Sequence, residues 1–447
     1  MNPSSDIIPP DAFSRRSFLK KGSTAMAGGA LLGTLAAERF AHAASTDELK
    51  IALIGCGGRG SGAAEQALNT SNLGPVKLVA AADVHEDRLK GALNNLKARH
   101  AGRVDVPEDR QFLGFDGFEK AIASADVVIL TTPPGFRPAM FEAAVKAGKH
   151  VFMEKPVASD AAGVRQVLAA AEEAKKKGLK VGVGLQRHHS NGYIETVKRI
   201  QDGQIGDVTS ARAFWNGSRP WQKKRADLEK QYGRKLTEME YQLRNWYYFT
   251  WLCGDHIAEQ HIHNIDVINW VKNAYPVKAR AMGGREITNS PDDGEIYDHF
   301  ACQFEYADGS IMFSECRQQP GCWSSVSEHV VGTKGRSNVG RHEITGADAW
   351  RYRGGGKDAY QQEHDVLFAA IRDNKEFNEA VNGAMSTMTA ILGRMAAYSG
   401  KEIEWDAALK SKIELVPKEL GWDKPAPVSP GPDGYYPRAT PGKTAVL

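Results

Sequence analysis

Cysteine is scarce in this chain, with five among 447 residues, and no two of them form a CxxC pair. With an odd count and this spacing, Cys56, Cys253, Cys302, Cys316 and Cys322 imply neither a zinc knuckle nor a disulfide framework. Cys316 and Cys322 can pair in an oxidising compartment, but buried thiols are the expected state. The chain also lacks an apolar run of the roughly 20 residues that a spanning helix needs, so stable membrane insertion is not expected. Charge of one sign is missing as well: 57 Lys and Arg against 54 Asp and Glu leave a net charge of +3. The basic residues are scattered, which gives no electrostatic footprint for nucleic acid. What remains is the composition of a globular protein, 42% apolar and 25% charged, long enough to outgrow one hydrophobic core and to form two domains.

Residues 14–22, Ser-Arg-Arg-Ser-Phe-Leu-Lys-Lys-Gly, carry a twin-arginine pattern. A small-residue apolar stretch from Ser23 to Ala37 and an Ala41-His42-Ala43 cleavage pattern follow it. Residues 1–43 are therefore expected to be a twin-arginine signal peptide, with a periplasmic or secreted mature chain beginning near Ala44. That route carries folded proteins, which leads to the expectation of a tightly held cofactor.

Residues 44–187 carry the pattern of a Rossmann dinucleotide-binding domain. A short apolar strand from Lys50 runs into Gly55-Cys56-Gly57-Gly58-Arg59-Gly60, and a helical stretch, Ala63 to Leu68, follows. Each glycine has a reason: Gly55 for the tight turn, Gly57 for the approach of a pyrophosphate, Gly60 for packing of helix on strand. The pyrophosphate is expected on the helix N-terminus, where free N–H groups and the dipole favour an anion. A second strand, Val76 to Ala82, ends at Asp83, placed to bind a ribose 2′-hydroxyl and to repel a 2′-phosphate. NAD is thus favoured, with NADP possible through Arg59 or Arg88. Two further buried-strand patterns, one ending at Thr131, Thr132 and Pro133 and one at Glu154, flank a helix-like stretch from Pro138 to Ala147. Strands alternating with helices imply a parallel sheet.

At Glu154-Lys155-Pro156 the sequence resembles the Gfo/Idh/MocA family of sugar and inositol oxidoreductases. The resemblance continues through Gly182 to Ser190, the hairpin Gly332-Thr-Lys-Gly335, Glu363-His-Asp and Gly393 to Lys401. It is strongest over Gly254-Asp-His-Ile-Ala-Glu-Gln-His-Ile-His-Asn-Ile-Asp, a segment whose pattern predicts one amphipathic helix with Asp255, Glu259 and His263 on one side. The resemblance implies that Glu259 and His263 are the proton-handling pair, although Glu stands where the family more often has Asp. It also brings Glu154, Lys155 and Gln186 to the cofactor. His263 is then the base that takes a hydroxyl proton, Glu259 orients the imidazole, and Lys155 hydrogen-bonds the reacting oxygen. Glu, His and Asp at helical spacing can also ligate a divalent metal; the proton-handling reading is preferred and no metal is assigned.

Residues 188–420 alternate in longer strands, with an Ala-Asp-Gly hairpin signal after Tyr306. They predict an open, mainly antiparallel sheet with helices on one face, which matches the resemblance's C-terminal domain and implies a homo-oligomer, dimer or tetramer. The stretch 215–251 is crowded with aromatics beside polar groups, a composition suited to stacking and hydrogen-bonding a sugar. Arg187, Trp246, Tyr247, His256 and His261 are the candidate substrate contacts. Residues 421–447 are rich in Pro and Gly and predict an extended arm or a loose tail. The function expected is NAD(P)-dependent hydride transfer at a hydroxyl carbon of a sugar or cyclitol. Because free NAD is scarce outside the cytoplasm, a redox-neutral glycosidase working by transient oxidation is an alternative, and a non-catalytic NAD-containing sugar-binding protein is a third.

Overall fold

The structure is a computed structural model that describes residues 47–447. The twin-arginine pattern and its cleavage site lie outside the described residues. Six strands, β1 (Leu49–Ile54), β2 (Val76–Asp83), β3 (Gln111–Leu113), β4 (Val127–Leu130), β5 (His150–Met153) and β6 (Val181–Val183), form one sheet in the order β3-β2-β1-β4-β5-β6. Every neighbouring pair is parallel. Parallel neighbours need crossovers, which the helices Gly58–Asn69, Glu86–Arg99, Arg137–Lys146 and Ala161–Lys176 supply. A sheet covered on both faces needs apolar side chains on both, which is why Ile51 to Ile54 and Val127 to Leu130 are unbroken apolar runs and all buried. Strand order reverses direction between β1 and β4, and a crevice opens there at the carboxyl ends of the strands.

A second sheet holds β7 (Val208–Gly217), β8 (Lys278–Gly284), β9 (His299–Glu305), β10 (Ile311–Gln318), β11 (Ser325–Gly332), β12 (Gly335–Asn338), β13 (Glu343–Gly346), β14 (Trp350–Arg351) and β15 (Ile403–Glu404). Their order is β14-β13-β12-β11-β7-β10-β9-β8-β15. Only β7 and β10 run parallel; the other pairs are antiparallel. Hairpins form at Ala307-Asp308-Gly309 and at Gly332–Gly335, as their turn residues predict. Strands β9 and β10 alternate buried with exposed positions. The helix Ala380–Ser399 packs on β8 and β9, and helix Ile262–Lys272 packs on β7 and β11 beside it.

Two elements depart from their sequence pattern. The segment after Gly254 is not one helix but two, His256–Glu259 and Ile262–Lys272, broken at Gln260 and His261. Asp255, at φ 71°, caps the first by accepting from the His256 amide at 2.5 Å. Its other oxygen accepts from the Tyr297 amide at 3.0 Å and the Tyr398 hydroxyl at 2.5 Å, so this carboxylate faces the interior. The helix Ala359–Arg372 falls within 188–420 yet places Leu367, Phe368 and Ile371 in the core of the nucleotide-binding domain, beside Ile51, Leu53 and Ile129. The chain therefore crosses back to complete its first domain.

Candidate active site

The carboxyl ends of the six parallel strands and one wall of the second domain enclose a cleft of about 670 Å³. At its base lies the glycine turn. Gly55 has φ 93°, and a Cβ there would stand 2.6 Å from the Thr132 amide nitrogen. A Cβ at Gly60 would strike the Gly55 carbonyl, so only glycine lets the helix Gly58–Asn69 start this close to β1. Gly57 and Gly58 have nothing within 4 Å of a Cβ position: their faces are open to the cleft. No side chain caps this helix and no acidic residue occupies its first turn. The unpaired N–H groups and the positive end of the helix dipole form a cradle that fits a pyrophosphate.

Asp83 ends β2 and lines the cleft. Its carboxylate accepts from the amides of Cys56 at 2.6 Å and His85 at 2.8 Å, which ties the glycine turn to the next strand. Burial raises its pKa, opposed by those amides and by Arg88 and Arg244. Arg59, a candidate for a 2′-phosphate, is committed elsewhere: its guanidinium pairs with Glu154 and, at 3.0 Å, with Glu363, and it lies over the rings of Phe152 and Tyr360. Arg88 does line the cleft.

The other end of the cleft gathers charge. Glu154 and Lys155 follow β5, and Gly184 after β6 leaves room for the Glu154 carboxylate, which a Cβ would approach to 2.6 Å. Lys155 Nζ donates to the Glu259 backbone carbonyl and stands 3.4 Å from its carboxylate. Arg137, at the start of its helix, donates to the Pro156 carbonyl and is pulled down to about 10 by burial. Burial raises the Glu259 carboxyl, with Lys155 and Arg137 opposing. Burial also pulls His263 well below its usual 6.5, helped by Lys155, Arg187 and Arg59, so its imidazole is neutral. Glu259 Oε2 and His263 Nδ1 are buried without hydrogen-bond partners, and both residues line the cleft. Such groups carry a desolvation cost that a bound polar ligand relieves. The His263 ring stacks on Trp215, centroids 6.0 Å apart. Glu259 has Lys155 as its partner, in place of the imidazole it was expected to orient.

The cleft thus brings together Gly55, Gly57, Gly58, Arg59, Gly60, Asp83, Thr131, Thr132, Pro133, Glu154, Lys155, Trp246, Glu259 and His263. Five other candidates lie elsewhere. The break before Ile262 turns His256 and His261 into the interior: His256 Nδ1 is shared between Asp255 and the Tyr297 carbonyl, and His261 Nε2 meets Ser314 Oγ at 2.7 Å. Arg187 pairs with buried Glu328. Tyr247 accepts from Gln318 at 2.6 Å, and Gln186 donates to Tyr360 at 3.0 Å. The structure adds Arg137, His85, Tyr360 and Arg244 to the lining. Arg137 had a signal in sequence, a basic residue in the loop after a buried strand; Tyr360 and Arg244 reach the cleft through tertiary packing alone. All five cysteines are free thiols, only Cys322 of them exposed. Among the described residues no group of three or more His, Cys, Asp or Glu is placed to hold a metal, and no helix is long and apolar enough to cross a membrane.

Residues 49–184 match the model of an oxidoreductase family with an NAD-binding Rossmann fold, and residues 193–337 match the GFO/IDH/MocA C-terminal domain. The chain belongs to the Gfo/Idh/MocA family. An inositol 2-dehydrogenase/D-chiro-inositol 3-dehydrogenase from Halalkalibacterium halodurans is 30% identical over 37% of this chain and 43% of its own length. A 2,7-anhydro-N-acetylneuraminate hydratase from Escherichia coli is 25% identical over 54% of this chain and 59% of its own. The chain thus spans about half the length of these two curated relatives. The scyllo-inositol dehydrogenase of Lactobacillus casei, solved with NAD(H) and scyllo-inositol, shares the fold at a TM-score of 0.59 and 20% identity, covering 80% of this chain and 99% of that one. NAD is the cofactor of this Gfo/Idh/MocA chain; the open cradle at Gly57, Gly58 and the following amides fits its phosphates, and Asp83, which lines the same cleft, would stand at its adenosine ribose.

Proposed function

We propose that the chain oxidises a hydroxyl-bearing ring carbon of a sugar or cyclitol. The observation that carries this reading is the pair of unpartnered buried atoms, Glu259 Oε2 and His263 Nδ1, on residues that line one cleft together with Lys155 and the glycine turn. NAD, when bound, supplies the hydride acceptor. The carbinol C–H bond yields its electron pair as hydride, and the O–H bond must release a proton as the C=O bond forms. Neutral His263 takes that proton at Nδ1; burial and its positive neighbours hold the imidazole in the neutral, proton-accepting form. Lys155 Nζ donates to the same oxygen and stabilises its developing negative charge, most strongly in a cleft shielded from water. Glu259 holds Lys155 in place through its carbonyl and carboxylate.

A redox-neutral cycle is a second reading, in which the hydride returns to the same sugar after elimination or addition of water. It is favoured by the hydratase among the relatives, since hydration leaves no net oxidation. One experiment separates the readings. Purified protein is incubated with sugars, cyclitols and glycosides, and product mass is followed together with near-ultraviolet absorbance of reduced nicotinamide. Net oxidation gives a ketone and reduced nucleotide; the redox-neutral cycle gives a hydrolysed or hydrated product at constant absorbance. Nucleotide bound with no turnover of any substrate would leave only a sugar-binding role.

The twin-arginine pattern at Arg15 and Arg16 supports export, and a pair of lysines at those positions is expected to hold the protein in the cytoplasm on fractionation. A homo-oligomer is supported by the exposed apolar side chains Met282, Phe313 and Val326 on strands of the second sheet, with Trp323 in the β10–β11 turn.

A further inference from the structure

We propose that the C-terminal segment 410–447 is a strap which, together with Arg244, closes the adenosine end of the cleft, so that NAD stays on the protein through successive turnovers. The proposal rests on the NAD site described above and concerns how long the nucleotide remains there. It arises from chain beyond the matched family regions, which end at residue 337.

The strap contains no helix or strand, yet it is fixed along its length. It leaves the body where the Leu415 amide donates to Asp160 at 2.7 Å. Gln242 donates to the Val428 carbonyl at 2.6 Å, and the Tyr436 hydroxyl donates to Glu238 at 2.6 Å while its ring meets Phe249. Tyr297 donates to the Ala439 carbonyl at 3.0 Å. The end returns to the beginning: the Gly442 amide donates to the Ser399 carbonyl at 2.7 Å, and Ser411 Oγ to the Val446 carbonyl at 3.0 Å. Prolines at 425, 427, 430, 432, 437 and 441 stiffen the extended path and lower the entropy lost in docking it.

Between these fixed points Trp422 packs on His85 and Phe115, with ring centroids 5.8 and 5.0 Å apart. Those two rings line the adenosine end of the cleft beside Asp83 and Arg88. His85 Nε2 is buried without a partner there, an atom left for a ribose hydroxyl or an adenine nitrogen. From the opposite side Arg244 reaches across to Asp87 with two hydrogen bonds of 2.9 and 2.6 Å. The segment that carries Arg244 also lines the cleft with Trp221, Lys223 and Trp246. It is anchored to its own domain: Asp292 accepts from the Tyr241 hydroxyl and the Arg225 amide, both at 2.8 Å, and Asp293 accepts from Arg219 at 2.7 Å. One half-exposed ion pair contributes little by itself. Release of the adenosine end, however, requires the Arg244 bridge and the Trp422 packing to open together. A nucleotide held this way cannot carry its hydride to another enzyme, so each oxidation must be balanced by a reduction in the same cleft.

The test uses the full chain loaded with NADH, with release followed by the change in nicotinamide fluorescence on dilution into excess NAD. The wild type is expected to keep its nucleotide through prolonged dialysis. Trp422→Ala and Arg244→Ala should each speed release roughly tenfold, equivalent to about 1.4 kcal/mol, and Trp422→Phe should stay within about threefold of wild type. Turnover of the Ala variants should recover on addition of NAD. If Trp422→Ala lowers the melting temperature, Trp422→Leu, which keeps an apolar side chain but loses the ring packing, carries the strap test in its place, and Asp87→Asn, whose change lies at the surface, tests the Arg244 bridge. Nucleotide lost from the wild type in one dialysis, or release at the wild-type rate from well-folded Trp422→Ala or Trp422→Leu or from well-folded Arg244→Ala and Asp87→Asn, would overturn the proposal. A chain that takes up no nucleotide fails at the NAD site itself, a result distinct from rapid release.

Discussion

The two ends of the cleft are built on opposite plans. At the adenosine end most polar groups are satisfied, His85 Nε2 excepted: both Asp83 oxygens accept from backbone amides, and Arg244 pairs with Asp87 through two hydrogen bonds. At the reacting end Glu259 Oε2, His263 Nδ1 and Arg137 Nε are buried with no partner. Satisfied groups hold a shape; unsatisfied buried groups store a free-energy cost that only a ligand removes. The contrast separates the end that grips from the end that reacts, and mutations at the two ends should fail in different ways.

The largest expected effect is at the reacting end. Lys155→Met keeps the length of the side chain but removes the donor aimed at the reacting oxygen, and kcat should fall by roughly 10²–10³-fold. Nucleotide content, measured by mass spectrometry of the purified variant, should stay at the wild-type level. A Lys155→Met variant that lost nucleotide and activity together would erase the distinction between the ends.

The phosphate turn sharpens the comparison, because it is where grip depends on backbone alone. A methyl group at Gly57 enters open space in the cleft, so Gly57→Ala should weaken NADH binding by about tenfold or more while leaving the apoprotein's melting temperature unchanged. A methyl group at Gly60 strikes the Gly55 carbonyl, so Gly60→Ala should lower both. Equal melting temperatures for the two variants would show that the close approach of helix and strand is not needed.

The same contrast explains what was legible in the sequence. The glycine turn, Asp83 and the loops after β4 and β5 follow from local rules: a parallel strand ends, the chain turns, and its residues reach the carboxyl edge. Glu259 and His263 were legible through resemblance, but their helix was not, because Asp255 at positive φ and the break at Gln260 are set by contacts with Tyr297 and Tyr398, far along the chain. The same break sends His256 and His261 inward. A periodic pattern counts residues around an axis and has no means to register that the axis changes. The strap was legible only as proline and glycine; its docking depends on Asp160, Gln242 and Glu238, which no local pattern links to it.

The smallest effect is expected in the pH dependence. His263 serves as base only when neutral, and burial with Lys155, Arg187 and Arg59 nearby lowers its pKa well below 6.5. A lowered pKa keeps the neutral form to more acidic pH, so the acid limb of kcat/KM should lie below pH 6.5. Arg187 does not line the cleft, so it can be changed without touching the reacting groups. Arg187→Gln removes one positive neighbour of His263, and buried Glu328, its pKa already raised by burial and now without its cation, goes further toward its neutral form. Removal of that positive neighbour favours the protonated imidazole, so the acid limb should move up by a fraction of a unit, lowering activity at acidic pH on the limb itself and hardly at all from there up to pH 8. Rates measured across that range on wild type and Arg187→Gln would show the limb displaced; identical profiles would mean that another group, with Glu259 the nearest candidate, takes the proton.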